Sequence, residues 1–521
     1  MDFDAIVVGA GHNGLVCAAY LARSGLRTLL LEARDSVGGC ASSETFAGCT
    51  VNICNCDHLT FRTTPVMEEL RLGEYGLRYL EVDPGQLSIP WGETTPASPP
   101  RPAWPVFHDV QRTVDALQFL YPAQADAYRR YASVAVPALR LILDAATRPP
   151  TPGGLLRTAM RHGSAGATLL RWSRKSAAEV LRSFFSDDAI IGPALATGPM
   201  VWGVSPEWPG TGLGALSLAM RHAATVGRPV GGSGMVPRAL QRCFEASGGT
   251  VRTSARVAAI LCDPRRVRGV RLSNGEVIEA SVVVSACDPH ATLLSWLQGA
   301  PLAAESMLAR WRGVPQHQGY ESKIDAVVST PPTYRSVDPH VAARLGFDPL
   351  TPSAMIAPSV AELVRAHQLL GDGQVADRPV FFSNVPTALD PSMATGNEHV
   401  FSLEVLFTPY HLQGGWGGSS EPQRWLDVFA SQVHPGFLDG IQAWRAVTPD
   451  RYETDFNMPL GHATGFAGGP LAALRNPHPE LTRYETAVPG LYLTGAATFP
   501  GAGVWGASGR NCATVITRSR R

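Results

Sequence analysis

The first forty residues constrain this chain more than any other stretch, because two short apolar runs flank a glycine-rich turn. Residues 4–8 are mostly apolar and β-branched, the pattern of a strand buried on both faces. Residues 9–14 match G-x-G-x-x-G, and residues 15–24 read as a helix rich in alanine and leucine. A second apolar run, residues 28–31, ends on Glu32. Strand, glycine turn, helix, strand and acid in this order predict a βαβ unit that binds a dinucleotide.

Each glycine of the turn has a separate physical role. Gly9 permits the tight turn, Gly11 lets the backbone approach a pyrophosphate, and Gly14 lets the helix and the strand pack closely. The helix begins beside Asn13, and its N-terminus offers unpaired N–H groups and a positive dipole end to the phosphates. Glu32 stands where a carboxylate accepts hydrogen bonds from ribose hydroxyls. The alternative, a packing turn in an unrelated α/β domain, is disfavoured by the complete order of elements.

The residues from Glu32 onward favour one dinucleotide over another. Ala33 and Arg34 lead the chain toward a glycine doublet, Gly38-Gly39, which permits a tight turn against the cofactor. A doublet at this distance from the ribose carboxylate resembles the FAD signature of flavoproteins with two dinucleotide-binding domains. NAD enzymes with the same first motif do not usually have it. The predicted cofactor is FAD, and we expect these five residues to be among its contacts.

Composition excludes several classes of protein. A chain of 521 residues with 45% hydrophobic residues and a formal net charge of zero can bury a large core, and it has no global bias toward nucleic acid. Its nine cysteines are too few and too scattered for a disulfide framework, and Cys54 and Cys56 lack a second pair at zinc-like spacing. Neither a signal peptide nor a membrane span is evident in the sequence. We therefore expect a cytoplasmic protein without a metal site.

Residues 49–70 follow the glycine doublet closely and, in flavoproteins of this layout, pass near the isoalloxazine ring. Asn55, Asp57 and His58 are therefore candidate active-site groups, and we nominate His58 for catalysis. A hydrogen-bonded loop is the more ordinary interpretation of the same residues. Covalent attachment of the flavin through His58 or a cysteine is a further alternative.

Proline is dense between residues 84 and 105, which marks a loop that leaves the first domain. Residues 109–144 then read as helical. Residues 151–186 interleave basic side chains with leucines and a tryptophan. This pattern fits an amphipathic membrane-surface segment, a mobile lid or a solvated basic face. We favour the solvated face and keep peripheral membrane contact as an alternative.

Residues 250–284 alternate in polarity like an antiparallel meander, and Asn274-Gly275 is a strong hairpin-turn signal. In FAD proteins of this type, the backbone near the position of Val257 reaches the adenine end of the cofactor. Residues 285–287 end a strand that returns to the nucleotide-binding sheet. Residues 300–455 form a second block outside that sheet. Its strand-like runs are residues 323–329, 380–385 and 400–407.

The C-terminal part of the chain supplies a second glycine-rich region. Residues 490–495 read as a strand that enters a glycine turn, and the small residues of 500–509 open a final helix. A helix start of this kind can direct N–H groups at the electron-rich pyrimidine edge of a flavin. The cofactor contacts expected here are Gly495, Ala496, Gly503 and Val504.

Four stretches carry a family resemblance: residues 9–16, 322–325, 382–391 and 490–511. Together they resemble the phytoene-dehydrogenase-like flavoproteins, especially the branch called pyridine nucleotide-disulfide oxidoreductase domain-containing protein 2. The last stretch is similar to the family pattern GLYLxGxxxxPGGGVxGxxGRNxA. The resemblance covers nearly the whole chain.

The resemblance implies a mixed α/β (α+β) fold, with a discontinuous Rossmann-like FAD-binding domain and a substrate domain of mixed sheet and helices. Amine oxidases and phytoene desaturases have this layout. It also implies flavin-dependent oxidation or desaturation of an apolar organic substrate by hydride transfer to flavin N5, in specialised metabolism. The FAD-binding domain is expected in residues 1–75, 225–300 and 455–521, and the substrate-binding domain in 76–224 and 301–454.

Departures from the family pattern bear on the chemistry. Ala496 stands where many FAD enzymes carry an acidic residue that binds ribitol, so backbone groups would take that role. Cys40 follows the glycine doublet where the amine-oxidase branch has arginine, which argues against a standard amine oxidase. The chain has one nucleotide fingerprint and no redox C-x-x-C, so electrons would leave to oxygen, a quinone or another acceptor, or return to the substrate. The competing interpretations are a redox-neutral isomerase or cyclase and a flavin-binding scaffold without turnover.

Lys323 is the second candidate catalytic residue. Residues 320–328 alternate like a strand whose even-numbered positions from 324 are apolar, so Lys323 projects from the other face beside Asp325. The amine-oxidase superfamily places a lysine at a similar strand position, where it holds a water near flavin N5. The alternative is a strand-edge lysine in solvent.

Overall fold

The glycine turn near the N-terminus joins the first strand of the structure to its first helix. A computed structural model describes residues 3–54, 57–91, 100–198, 203–462, 465–466 and 469–520. Strand β1 (Ala5–Val8), helix α1 (His12–Arg23) and strand β2 (Thr28–Leu31) form the predicted βαβ unit, and every residue of both strands is buried. The continuous apolar runs therefore reflect strands that are covered on both faces.

The other elements follow in chain order. The strands are β3 (Ser43–Phe46), β4 (Cys49–Asn52), β5 (Tyr79–Glu81), β6 (Gln86–Pro90), β7 (Trp104–Val106), β8 (Gly227–Pro229), β9 (Thr250–Arg252), β10 (Val257–Cys262), β11 (Val267–Leu272), β12 (Val277–Glu279), β13 (Val282–Ser285), β14 (Leu297–Gln298), β15 (Tyr320–Val328), β16 (Ala354–Ala357), β17 (Phe381–Asn384), β18 (His399–Thr408), β19 (Ile441–Val447) and β20 (Leu491–Leu493). The helices are α2 (Val66–Glu69), α3 (Val110–Leu120), α4 (Pro122–Ala146), α5 (Pro152–Arg161), α6 (Ala165–Trp172), α7 (Ala177–Arg182), α8 (Asp188–Ala196), α9 (Met220–Ala223), α10 (Met235–Ala246), α11 (Glu305–Arg312), α12 (Pro339–Leu345), α13 (Val360–Gly371), α14 (Glu421–Ala430), α15 (Pro449–Phe456), α16 (Gly469–Arg475), α17 (Glu480–Arg483) and α18 (Ala507–Ser519).

β1 is the centre of a parallel five-stranded sheet with the order β20-β13-β1-β2-β9. Ala5 aligns with Val282 of β13 on one side and with Thr28 of β2 on the other. Helices α1, α10 and α18 share one buried apolar cluster with one face of this sheet. The opposite face packs against β10, β11 and α11. The return of β13 to this sheet confirms the expectation for residues 285–287.

The predicted meander is shorter than expected, because its first run belongs to another sheet. β9 pairs in parallel with β2, with Leu29 opposite Thr250, and is therefore the edge strand of the five-stranded sheet. β10, β11 and β12 make the antiparallel part, and the expected turn places Gly275 at a φ of 90°. Alternating polarity does not distinguish the two arrangements, since parallel and antiparallel strands both have a period of two.

A mixed seven-stranded sheet contains the second group of predicted strands, in the order β19-β15-β18-β17-β16-β6-β7. β16 and β6 pair in parallel, and the other pairs are antiparallel. One face carries Ile324, Ala326 and Val328 in an apolar cluster with α14. The opposite face carries Lys323, which lies across from Glu404 in the pairing of β15 with β18.

The helical region predicted for residues 109–144 is divided into α3 and α4. The break falls at Tyr121, whose φ of −140° and ψ of 64° lie outside the helical region. Pro122 causes the break, because a proline disfavours the helical conformation in the residue before it. Pro122 itself begins α4, where its missing N–H costs no hydrogen bond.

Residues 151–186 form three short helices, α5, α6 and α7, beside α4. Their inner side is apolar, with Leu155, Leu169 and Trp172 buried. Their outer side bears Leu156 and Met160, which are 64% and 76% exposed. Within the described residues, no helix combines the length and the apolar character needed to cross a membrane.

The packing of α18 on α1 gives a first testable prediction. A Cβ atom added at Gly509 would lie 2.1 Å from the carbonyl oxygen of Asn13 and 2.9 Å from the amide nitrogen of Cys17. Since backbone atoms cannot move aside separately, Gly509→Ala should separate the two helices and lower the free energy of unfolding by about 1 to 3 kcal/mol. Urea denaturation of the FAD-loaded protein measures this change.

Gly153→Ala is the matched control, because a Cβ at Gly153 on α5 meets nothing within 4 Å. We expect that variant to be as stable as the parent or more stable by about 0.4 to 1 kcal/mol. Equal unfolding midpoints for the two variants would contradict the close contact between α1 and α18.

Candidate FAD-binding and active site

The first glycine turn has the geometry that a dinucleotide requires. Gly9 has a φ of 94°, in the region that favours glycine. A Cβ at Gly14 would lie 2.0 Å from the carbonyl oxygen of Gly9, so only glycine allows α1 to start this close to the turn. A Cβ at Gly11 meets nothing within 4 Å, so the space beside its backbone is open.

The glycine doublet lies against this turn. The amide of Gly38 donates to the carbonyl oxygen of Ala10 at 2.9 Å, and Gly38 pairs with Gly11 as a parallel bridge. A Cβ at Gly39 would come within 3.4 Å of the Cα of Gly11. The two glycine motifs, residues 9–14 and 38–39, are separated along the chain but form one surface.

Glu32 is buried at the end of β2 and is fixed by two backbone amides. The amide of Ala10 donates to one carboxylate oxygen at 2.8 Å, and the amide of Arg34 donates to the other at 2.9 Å. Each oxygen keeps a second lone pair, so the carboxylate can still accept from ribose hydroxyls. Ala33 lies between the two anchored residues and completes this rim.

Val257 lies near the same rim at the start of β10. The preceding residues attach that strand to the rim, because the amide of Ser254 donates to the carbonyl oxygen of Arg34 at 2.7 Å and the amide of Ala255 donates to that of Glu32 at 2.8 Å. Val257 itself is buried. The structure thus brings it close to the Glu32 end of the site.

The C-terminal glycine region is held by a buried hydroxyl cluster. The amide of Gly495 donates to the Oγ of Ser508 at 3.0 Å, next to Thr494 and Thr498. The carbonyl oxygen of Ala496 accepts from the amide of Phe466 at 2.8 Å. That carbonyl is therefore engaged within the protein, and the Ala496 side chain adds no polar group.

The two ends of the chain meet at His12. Its ring contacts the backbone of Gly503, and burial lowers the pKa of His12 to about 4, so the ring is neutral near pH 7. The carbonyl oxygen of Val504 accepts from the Oγ1 of Thr60 at 3.0 Å. Gly503 therefore lies beside the first turn, and Val504 lies beside the segment that contains Thr60.

These residues fit FAD. Gly11 leaves open space for a pyrophosphate, and no side chain caps the N-terminus of α1 within the described residues. The Oδ1 of Asn13 is buried at that terminus and has no hydrogen-bond partner among the described residues. Open space, free amides and an orphaned acceptor at one place suit a ligand with phosphates and hydroxyls.

His58 is buried and both of its ring nitrogens are engaged. Nδ1 lies 2.7 Å from the hydroxyl of Tyr79, and Nε2 lies 3.0 Å from the Oγ of Ser233. Burial lowers the pKa of His58 to about 3. These contacts favour the hydrogen-bonded loop over a proton-transferring or flavin-linked histidine. Of its neighbours, Asp57 forms a buried ion pair with Arg228 at 2.5 Å, and Asn55 lies outside the described residues.

Lys323 is only 1% exposed, so the alternative of a strand-edge lysine in solvent is wrong. Its Nζ donates to the carbonyl oxygen of Asn52 at 2.5 Å and forms an ion pair with Asp325. The Oδ1 of Asn52 accepts from Ser43 and from the amide of Ser233. Lys323 is thereby tied to the segment that follows the glycine doublet.

An ionic network continues from Lys323 toward the ribose end of the site. Asp325 lies 3.2 Å from Arg445, Arg445 lies 3.1 Å from Glu44, and Glu44 lies 2.8 Å from Arg34. Arg34 follows Glu32 by two residues. The network therefore connects the seven-stranded sheet to the nucleotide-binding rim.

Three functional candidates were absent from the sequence predictions. His12 gave no usable signal, because any residue fits its place in the glycine motif. Alternation along β15 predicts that Glu321 and Lys323 share one face of the strand. The side chains that surround Glu321 come from distant parts of the chain and are known only from the fold. Glu404 lies on a strand that was predicted, yet its pairing opposite Lys323 depends on a register that the sequence does not specify.

Comparison with known proteins agrees with this geometry. Residues 7–70 match the family of NAD(P)-binding Rossmann-like domains, and residues 194–332 match the family of flavin containing amine oxidoreductases. Among solved structures, a putrescine oxidase variant superposes with a TM-score of 0.62 at 15% identity, covering 99% of this chain and 98% of that one. Cyclohexylamine oxidase from Brevibacterium oxydans gives a TM-score of 0.58 at 15% identity and covers both chains fully. These two likenesses establish the fold.

Relatives of similar length extend the comparison along the whole chain. Pyridine nucleotide-disulfide oxidoreductase domain-containing protein 2 of Rattus norvegicus is 29% identical over 99% of this chain and 94% of its own. A limonene dehydrogenase polypeptide of Castellaniella defragrans is 22% identical over the same shares. A lycopene-forming phytoene desaturase of Pseudescherichia vulneris is 25% identical over 96% of each chain.

The fold, the site and these matches define a flavin-dependent oxidoreductase whose cofactor is FAD. Within that class the chain resembles the phytoene-desaturase-like enzymes, as its own motifs indicated. The expected mixed α/β fold is also confirmed.

Gly11 gives a direct test of the cofactor site. Its φ of −62° suits any residue and its Cβ position is open, so Gly11→Val should fold normally. The added side chain fills the space next to the backbone that a pyrophosphate needs, so the purified variant should be colourless and release no FAD on denaturation. Absorbance and thermal unfolding measure the two outcomes.

Gly73→Val is the control for this test, because Gly73 is exposed and its Cβ position is also open. That variant should remain yellow. Full FAD occupancy in Gly11→Val would mean that this turn does not hold the pyrophosphate.

Proposed function

We propose that the protein oxidises or desaturates an apolar organic substrate in specialised metabolism. The observation that carries the proposal is the surface next to Lys323. On the same face of the seven-stranded sheet, Phe382 and Leu406 belong to the large apolar cluster of the helical region. Relatives named for limonene and phytoene support an apolar substrate.

We assign the nominated positions to FAD as follows. The turn Gly9–Gly14 and Asn13 hold the pyrophosphate, and Glu32 holds the ribose. The remaining proposed contacts are Ala33, Arg34, Gly38, Gly39, Val257, Gly495, Ala496, Gly503 and Val504. FAD, when bound, supplies the acceptor for the hydride that leaves the substrate C–H bond.

We divide the chain into two domains on the same basis. Residues 1–75, 225–300 and 455–521 form the FAD-binding domain, and 76–224 and 301–454 form the substrate-binding domain. Strands from all three of the first ranges lie in the parallel sheet, which supports the division.

Lys323 is our candidate catalytic residue, as an ammonium that stabilises negative charge developing on the cofactor or holds a water there. We retain His58 as a positioning residue, because its ring joins Tyr79 to the Ser233 turn. Oxygen or a quinone is the proposed final electron acceptor.

Anaerobic incubation with candidate substrates tests the proposed reaction. Bleaching of the flavin spectrum supports net oxidation. Product without bleaching would instead identify a redox-neutral isomerase or cyclase, and neither change with any substrate would favour a flavin-binding scaffold.

The same assay tests Lys323. Lys323→Met should keep FAD but slow flavin reduction or reoxidation by a factor on the order of 10 to 1,000, the effect of losing one positioned electrostatic or proton-transfer group. Because the substitution leaves Asp325 with Arg445 alone, the double variant Lys323→Met/Asp325→Asn separates a loss of chemistry from a buried unpaired charge.

Lys175→Met is the control, since Lys175 is the other lysine of the chain and is exposed. We expect normal rates for that variant and slow rates for both Lys323 variants. Normal rates in the double variant would assign Lys323 a purely structural role.

We also propose that the outer side of α5 and α6 makes peripheral contact with an anionic membrane. Leu156, Met160 and Leu170 are exposed there. The neighbouring exposed cations are Arg157, Arg161, Arg171, Arg174 and Lys175. Between Asp144 and Glu179 the sequence contains no acidic residue, and exposed apolar side chains among cations suit lipid better than nucleic acid.

Flotation with vesicles tests this contact. The protein should float with vesicles that contain phosphatidylglycerol and should float less with pure phosphatidylcholine or at high salt. Leu156→Ser/Met160→Ser should weaken vesicle binding about tenfold or more, because two exposed apolar side chains no longer enter the lipid. Arg157→Glu/Arg171→Glu should weaken it about thirtyfold or more, because each surface cation contributes about 1 kcal/mol. Leu302→Ser, at a 94% exposed leucine elsewhere, should not. Equal flotation of all variants would rule out this face.

A further inference from the structure

Glu404 is a buried acid to which the proposed function assigns no role. It lies on β18, opposite Lys323 of β15 and Phe382 of β17, and it is 5% exposed. Its Oε1 has no hydrogen-bond partner among the described residues. A buried carboxyl oxygen without a partner is costly, so its role must be sought outside the protein's own contacts.

A count of charges around Glu404 indicates that it carries a proton. Asp325 occupies both nearby cations, Lys323 and Arg445. Glu321 lies two residues from Lys323 on the same side of β15, and among the described residues neither Glu321 nor Glu404 has a cation within 4 Å. Two neighbouring carboxyls without a contacting cation do not both ionise in a buried site.

The pKa values agree with this count. Burial, with a smaller contribution from Glu321, raises the pKa of Glu404 well above its usual range. Burial likewise raises the pKa of Glu321 to about 7. The other charged or titratable groups nearby are Lys323, Asp325, Asp57, Cys54, Tyr320 and Tyr452. Lys323 favours the charged form of Glu404, but the carboxylates and the burial oppose it.

We propose that Glu404 is a neutral carboxylic acid that donates a hydrogen bond to an oxygen of the substrate, which is therefore an apolar molecule carrying a carbonyl or hydroxyl group rather than a pure hydrocarbon. The inference rests on the proposed function and deepens it by naming the polar group.

A second buried donor in the same region supports an oxygen as the acceptor. The backbone carbonyl oxygen of Asn52 accepts a hydrogen bond from Lys323, the residue opposite Glu404. The side-chain Nδ2 of Asn52 is buried without a partner among the described residues. A protonated carboxyl and an amide N–H both donate, so together they suit a carbonyl or hydroxyl oxygen. A hydrocarbon would leave both donors unsatisfied, and a site built to bond an oxygen discriminates against the analogue that lacks it.

Matched ligand pairs test the proposal on the FAD-loaded enzyme. The two members of each pair share one carbon skeleton, and only the second carries an oxygen: limonene with carvone, farnesene with farnesol, and squalene with its terminal alcohol. Binding is measured through the perturbation of the flavin absorbance. At least one oxygenated member should bind about tenfold or more tightly than its hydrocarbon, which corresponds to one well-satisfied hydrogen bond.

The variants identify Glu404 as the source of that preference. Glu404→Gln keeps a donor of the same shape and should retain most of the preference, whereas Glu404→Leu should lose most of it and keep only the part that the Asn52 amide supplies. Glu245→Gln, at an exposed acid on α10, is the control. Equal binding of every pair by the parent enzyme, binding of no pair, or an undiminished preference in Glu404→Leu would each overturn the proposal.

A spectroscopic measurement covers the case in which a variant folds poorly. The parent enzyme at neutral pH should show an infrared carboxylic-acid C=O stretch that is absent from Glu404→Gln, and its absence from the parent would overturn the protonated state. Flavin bleaching reports separately on the proposed oxidation. An oxygen preference without bleaching would refute the proposed reaction but leave the role of Glu404 intact.

Discussion

The structure depends on two backbone contacts that only glycine allows. Gly14 brings α1 against the carbonyl oxygen of Gly9, and Gly509 brings α18 against the carbonyl oxygen of Asn13. The first contact places the start of α1 at the turn that we assign to the phosphates, and the second places the C-terminal helix beside the same turn. Because both contacts are at backbone distance, the cofactor site is assembled by main chain from opposite ends of the sequence, with little help from long side chains.

The second structural constraint is the ionic network that begins at the buried pair of Lys323 and Asp325 and continues through partly exposed side chains. It passes through Asp325, Arg445 and Glu44 to Arg34 and so joins the sheet of the proposed substrate domain to the nucleotide-binding rim. Buried ion pairs add little net stability, but loss of one partner is expensive. Such a network therefore fixes the relative position of the two surfaces more than it adds stability.

The parts of the fold that could be predicted are those specified by neighbouring residues. The glycine turn with β1 and α1, the hairpin at Gly275 and the strand before Gly495 each follow from a local pattern, and the glycine motifs were correctly expected to meet. The break at Tyr121 was not predicted, although Pro122 causes it through a local effect. The rest needed the fold: β9 joins a parallel sheet because of a distant partner, His58 is held by Tyr79 and Ser233, and Glu404 faces Lys323 through a register that alternation does not specify.

The strand order of the parallel sheet has a consequence for biosynthesis. β1 lies at its centre, yet its two neighbours β2 and β13 come from residues 28–31 and 282–285, and β20, which pairs with β13, comes from residues 491–493. During synthesis from the N-terminus, one side of β1 therefore waits for most of the polypeptide to emerge, and β13 waits longer for β20. Long-range pairing of this kind folds slowly and exposes apolar strand edges meanwhile. The nascent chain should consequently depend on chaperones until β20 has left the ribosome, and FAD should stabilise it only after that strand has paired.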